Sequence, residues 1–173
     1  MTIGITGRSG SGKSTLTTLM LLGRLGRIKI IDVDEIAHDA MKLDRVRTAI
    51  EEKFGADAAR DRKKLGDLVF TNRDKYEELS DLIWSEMEKM IDAELKKDFY
   101  VYVIDWILLP KTKYFAECDV KILVKRDDER RLDAVAKRDG VSLEYLAKRE
   151  AHSIEYDESA FDYVVWNNGR SFK

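Results

Sequence analysis

Eight residues near the start of the chain, Gly7-Arg8-Ser9-Gly10-Ser11-Gly12-Lys13-Ser14, have the types and spacing of a loop that holds a polyphosphate. Glycine lacks a Cβ, so main-chain N–H groups can crowd around phosphate oxygens where a side chain would clash. Lys13 is placed to reach the β- and γ-phosphates of a nucleoside triphosphate, and the Ser14 hydroxyl to ligate Mg²⁺. A helix starting at Lys13 or Ser14 would aim the positive end of its dipole at the same oxygens. From average residue usage, a chance match in a chain this long is on the order of one in a hundred. ATP with Mg²⁺ is the expected ligand pair.

Acids come next. Asp32 and Asp34 follow the apolar run at 28–31, and sites in open α/β sheets lie at the carboxyl ends of strands. One carboxylate there can act as base for an acceptor hydroxyl, and the other can hold metal-bound water. Asp is also a good N-cap, so one of the pair is equally suited to start a helix over 35–42. Asp105 ends a third apolar run, Val101-Tyr102-Val103-Ile104, in the position of a Walker B acid or of a plain solvent-facing strand end. The cations Arg130, Arg131, Lys137, Arg138, Lys148 and Arg149 crowd one helix–turn–helix. Phosphoryl transfer needs cations around the moving group, and the arginine fork binds oxygens in pairs. Mixed charges on a helix are more often a solvated face, which is the expectation for most of these.

These groups need a scaffold. Short apolar runs alternate with helical patterns, which predicts a three-layer α/β/α fold around a parallel sheet, the P-loop NTPase arrangement. Strands are expected over 2–6, 28–32, 99–105, 120–124 and 163–166. Helices are expected from 13 or 14 to 25, over 127–138, and from Ser142 to about 152. Between 44 and 97 the apolar residues Val46, Ile50, Phe54, Leu79, Leu82, Ile83, Met87 and Met90 recur at helical spacing. That stretch is too long for a minimal crossover and predicts a helical insertion within one domain, 1–173.

Composition narrows the class. Net charge is −2 with both signs mixed, unlike the basic stripe of a duplex nucleic-acid binder, so small phosphorylated substrates are the expected partners. No apolar run is long enough to span a bilayer, and no secretory pattern is visible. Cys118 is the only cysteine, so the cytoplasm is the expected location, with Cys118 buried rather than nucleophilic. A monomer is the working expectation. Charged residues make up 37% of the chain and glutamine is absent, a composition that predicts heat stability. His38 and His152 have no triad or metal spacing, and Trp84, Trp106 and Trp166 suit a core or a substrate wall.

The chain also resembles a known family. Gly7 to Thr15, Ile31-Asp32-Val33-Asp34-Glu35-Ile36-Ala37-His38, the block from Asp61 and Arg62 through Asp67 to Val69-Phe70, and Asp162-Tyr163-Val164-Val165-Trp166-Asn167-Asn168-Gly169 are similar, in order, to the motifs of dephospho-CoA kinases. The resemblance implies transfer of the ATP γ-phosphoryl to the ribose 3′-hydroxyl of dephospho-CoA, with Asp34 as base. It implies an acceptor held under the insertion near His38, Arg62, Phe70 and Asp105. It further implies a nucleotide held by the loop through Thr15 and by Asn168, and a lid over 137–152 carrying Arg138. The sequence departs from the family at Ile107-Leu108-Leu109-Pro110-Lys111, at Trp84-Ser85, at Ala134 and at Ser153. Two other readings therefore stand beside this one. Arg8-Ser9-Gly10-Ser11 is also similar to uridine-kinase loops, which suggests another acceptor such as a nucleoside. The departures also permit a nucleotide-binding regulatory module without turnover.

Overall fold

The computed structural model of the chain describes residues 1–23, 27–70, 72–144, 146 and 154–169, without the side chains of Arg62, Lys63, Asp67, Phe70, Arg73 and Tyr76. Two compact units form, 1–31 with 98–173, and 32–97. The insertion expected at 44–97 lies within the second unit, which also takes in Asp32.

The first unit is a five-stranded sheet flanked by helices. Its strands are β1 (Thr2–Thr6), β2 (Ile28–Asp32), β3 (Val101–Asp105), β4 (Val120–Lys125) and β5 (Tyr163–Trp166), in the order β2-β3-β1-β4-β5. β1 lies in the middle and pairs in parallel with both neighbours, Ile5 opposite Asp105 on one side and Thr6 opposite Leu123 on the other. Parallel strands buried on both faces read as near-continuous apolar runs, which is why their positions were visible in the sequence. The third strand starts at Val101 rather than at 99, and the fourth continues to Lys125.

Alternation along β1 separates its two faces. Ile3 and Ile5 pack with Val103 and Val124 against Leu16 and Met20 of helix α1 (Lys13–Leu22). The intervening Gly4 faces the other way. A Cβ there would lie 2.8 Å from Cys118 Sγ and 2.9 Å from Leu109 Cδ2, so the turn at 109–111 and its following helix press directly on the strand. The end of α1 expected at 25 lies outside the described residues; the helix is described to Leu22.

In the second unit, helices α2 (Val33–Ala40), α3 (Asp44–Phe54), α4 (Ala56–Arg60), α5 (Arg62–Phe70) and α6 (Arg73–Leu95) follow one another closely. Val46, Ile50, Ala58, Leu65, Val69 and Leu79 form their core. Two caps set the boundaries. Asp32 Oδ1 accepts from the N–H groups of Asp34 (3.0 Å) and Glu35 (3.2 Å), and Asn72 Oδ1 accepts from Lys75 N–H (3.1 Å). The helix therefore starts at Val33, two residues before the expected 35. Glu86 is the one strongly buried acid described here. Lys89 and Arg45 donate to it at 2.8 and 2.7 Å and hold its carboxyl below the usual range, against the upward push of burial.

The remaining helices belong to the first unit: α7 (Lys113–Glu117) and α8 (Asp128–Asp139), which ends at Gly140 in the left-handed conformation. Most of the helix expected from Ser142 to 152 lies outside the described residues. No helix among the described residues is long and apolar enough to cross a membrane.

Candidate active site

The glycine-rich turn leaves the central strand β1 and enters α1. Gly12 is the N-cap residue at φ 104°, so the entry requires a conformation that side-chain-bearing residues rarely adopt. No side chain caps α1, and no acid lies in its first turn, which leaves its N–H groups and dipole for an anion. Lys13 Nζ folds back and donates to the Gly7 carbonyl at 3.0 Å, while Ser11 N–H closes the turn on the Arg8 carbonyl at 3.1 Å. Ser11 is fully buried, and its Oγ has no partner among the described residues. Such a group costs free energy unless something satisfies it.

Three other segments grip this turn. Asn167, just after β5, donates from Nδ2 to the Ser11 carbonyl at 3.0 Å. A Cβ on Gly12 would lie 2.1 Å from that nitrogen, so glycine there makes room for the amide. Helix α8 also approaches Gly10 too closely for a side chain, since a Cβ would meet Val135 Cγ2 at 2.6 Å and the Arg131 carbonyl at 2.7 Å. Arg8 Nε donates to the Ile154 carbonyl at 3.2 Å, which ties the turn to the segment leading into β5. In that segment the Tyr156 hydroxyl donates to the Ile107 carbonyl at 2.9 Å, and burial pushes its pKa up.

Beside the turn lies a cavity of about 520 Å³, bounded by Arg8, Ser11, Arg126, Arg131, Tyr156 and Trp166 among others. Arg138 sits nearby, with Nη2 3.4 Å from Ser9 Oγ. Its fork is held by both Asp139 oxygens, at 2.7 and 3.1 Å, which raises its pKa further. Main-chain donors, one orphaned hydroxyl and converging arginines suit a polyphosphate.

A family model described as dephospho-CoA kinase matches residues 1–172. The chain belongs to the dephospho-CoA kinase family. A dephospho-CoA kinase of Fusobacterium nucleatum is 31% identical, with 97% of this chain and 90% of that protein covered. One of Staphylococcus aureus is 29% identical, over 96% of this chain and 84% of that protein. A crystal structure from Thermus thermophilus superposes with a TM-score of 0.83 at 25% identity, covering 98% of this chain and 89% of that one. An uncharacterised protein of Eubacterium ventriosum shares the fold, with a TM-score of 0.55 at 11% identity, over 97% and 88% of the two chains. Membership of this family makes the chain a kinase with the P-loop fold, and it does not favour a nucleoside acceptor or a module without turnover.

The structure sorts the residues expected at such a kinase's site. Gly7 to Thr15 form the turn and the start of α1, with Ser14 and Thr15 exposed. Asp105 is buried at the end of β3, so the alternative of a solvent-facing strand end does not hold. Asp32 is the cap of α2, with Asp34 exposed in that helix's first turn and His38 exposed in its last. Asn168 clamps Asp127, its Oδ1 accepting from the main-chain N–H and its Nδ2 donating to the side chain, both at 3.0 Å. The side chains of Arg62 and Phe70 lie outside the described residues, as do Lys148, Arg149 and Ser153. Within the second unit, His38, Lys42, Arg47 and Arg60 line a cavity of about 360 Å³ with Ile50 and Leu65.

Of the clustered cations described, Arg130, Lys137 and Arg138 are exposed, as expected of most, and one is not. Arg131 is no part of a solvated face: it is 2% exposed and bonded to the turn. Asn167, named above only as part of the family-like motif at 162–169, supports the loop directly. Its place in the Asn-Asn-Gly motif was the available signal. Cys118 is buried as expected, and burial pushes its thiol to about 11, which makes it a poor nucleophile.

Proposed function

We infer that this chain transfers the γ-phosphoryl group of ATP to the ribose 3′-hydroxyl of dephospho-CoA, giving CoA. The observation that carries the reading is the uncapped start of α1, entered through a glycine turn whose one buried hydroxyl has no partner among the described residues. In this reading Lys13 leaves the Gly7 carbonyl to meet the β- and γ-phosphates, where charge builds as the bond breaks. Asn168 contributes to holding the nucleotide.

Ser14 and Asp32 would serve Mg²⁺, Ser14 as a ligand and Asp32 through metal-bound water. Among the described residues no group of three or more His, Cys, Asp or Glu could hold a metal ion by itself. That suits Mg²⁺ in a kinase, which keeps its waters and leans on one or two protein groups and the phosphates. The ion, when bound, neutralises the phosphate oxygens and holds the transferring group in line. One oxygen of Asp32 already caps α2, so capping and metal support share a carboxylate.

Asp34 accepts the hydrogen bond of the 3′-hydroxyl and takes its proton late, because the transition state is loose and orientation dominates. Arg138 would exchange Asp139 for phosphate oxygens when the lid at 137–152 closes. Residues 32–97 serve as the acceptor-binding part of one kinase domain, with His38, Arg62, Phe70 and Asp105 toward the acceptor. The cavity by His38, Arg47 and Arg60 is suited to the acceptor's phosphate and arm. We place the enzyme in the cytoplasm as a monomer.

The test is a panel of dephospho-CoA, adenosine and uridine with ATP and Mg²⁺, scored by kcat/KM. Dephospho-CoA should lead by a wide margin, because its arm supplies remote binding energy that orients the hydroxyl. Similar values for adenosine would overturn the acceptor assignment.

A further inference from the structure

Arg131 is an unusual residue to find inside a protein. Its side chain is 2% exposed, and arginine is almost never that buried unless paired. Nε and Nη2 both donate to Asp128 Oδ1, at 3.0 and 2.8 Å, and Nη1 donates to the Ser9 carbonyl at 3.1 Å. Asp128 lies one helical turn earlier on α8 and is largely exposed. Apolar side chains of similar volume often replace buried ion pairs without loss of stability, so stability alone does not account for an arginine here.

The Ser9 carbonyl does. No peptide among the described residues is cis, so the C=O of Ser9 and the N–H of Gly10 point in opposite directions. Holding that carbonyl toward α8 turns the Gly10 N–H away from it. Gly10 packs so closely on α8 that an added Cβ would lie 2.6 Å from Val135 Cγ2 and 2.7 Å from the Arg131 carbonyl. Arg126 Nη1 reaches the next carbonyl, that of Gly10, at 3.4 Å, and Asn167 holds that of Ser11. The carbonyls of three successive loop residues are therefore drawn outward by side-chain donors.

We propose that Arg131 is a positioning residue for phosphoryl transfer, which fixes the Ser9–Gly10 peptide so that the Gly10 N–H is presented to the nucleotide's phosphates before they arrive. The proposal rests on the reading of this turn as the ATP site. A preset donor costs no reorganisation when the phosphate binds, whereas a peptide free to turn must be ordered first. Lysine could supply charge but not the fork that joins Asp128 to the loop.

The experiment compares wild type, Arg131→Met, Arg131→Lys and Asp128→Asn by thermal melt, by ATP titration calorimetry and by KM for each substrate. Arg131→Met should melt cooperatively while ATP affinity falls about tenfold or more and the KM for dephospho-CoA stays within about twofold. Arg131→Lys should recover part of the loss. Asp128→Asn, a surface change, should shift the ATP constant in the same direction by less, and it decides the question if Arg131→Met fails to fold. ATP affinity unchanged in the folded variants, or both substrate constants rising together, would overturn the proposal. If wild type itself does not bind ATP, the reading of the turn fails instead.

Discussion

The cavity beside the phosphate turn takes its walls from residues 8, 11, 126, 131, 156 and 166, whereas the cavity of the helical unit draws on residues 38 to 65 alone. In the first, polar groups are locked by bonds that span 122 positions (Arg131 to Ser9) and 156 positions (Asn167 to Ser11). In the second, long cationic side chains of short consecutive helices stand around Ile50 and Leu65. Under the proposed function, the difference follows from the chemistry each would serve. Charge that develops during phosphoryl transfer is stabilised best by dipoles that do not move, and long-range contacts hold them still. An acceptor with a long arm needs area and a few cations, which local helix packing supplies.

Six substitutions would break or sharpen that contrast. Lys13→Ala should have the largest effect, lowering kcat by roughly a hundredfold or more, because a cation over the β- and γ-phosphates is lost. The melting temperature should hardly move, since Lys13 is only part-buried and its one hydrogen bond among the described residues goes to the Gly7 carbonyl of the same turn. Near-normal turnover in a coupled assay would remove the phosphate-turn assignment.

Asp34→Asn should also reduce kcat strongly while ATP affinity, read by titration calorimetry, stays within a few-fold of wild type. Asp32→Asn keeps a side-chain oxygen that can cap α2, so stability should change little, while turnover should respond to added Mg²⁺. Normal turnover in Asp34→Asn beside a dead Asp32→Asn would exchange the two roles.

Arg47→Ala and Arg60→Ala probe the second cavity. Each should raise the KM for dephospho-CoA several-fold, within the range of a charge-assisted hydrogen bond, and leave the KM for ATP unchanged. A rise in the ATP constant instead would erase the division of labour between the two regions.

Glu86→Gln should have the smallest effect, on stability alone. The Glu86 carboxyl lies below its ordinary 4.5 when folded, chiefly through its hydrogen bonds from Lys89 and Arg45. Its contribution is therefore present above pH 4.5 and fades as pH falls below that value, through the folded pKa. Urea melts should separate wild type from Glu86→Gln at pH 7 and bring them together on acidification. A gap that persists at low pH would trace the loss to packing rather than charge.

The residues themselves determined a good deal. Glycines at 7, 10 and 12 followed by Lys13 specified a phosphate turn, since few other purposes need that backbone freedom at that spacing. The apolar runs specified five strands within a few residues, because a parallel sheet buried on both faces leaves little choice of residue. Helical periodicity marked the second unit, whose core is built from neighbours in sequence. What the chain could not disclose was which of its many charges face inward. Arg130 and Arg131 are adjacent and chemically identical, yet only the second is buried, because the turn of α8 presents it to Ser9, 122 positions away. The same holds for Asn167 at Ser11 and for the hydroxyl that Ser11 leaves unsatisfied. Burial and pairing of a polar side chain depend on what the folded chain brings opposite it, and only the tertiary structure decides that.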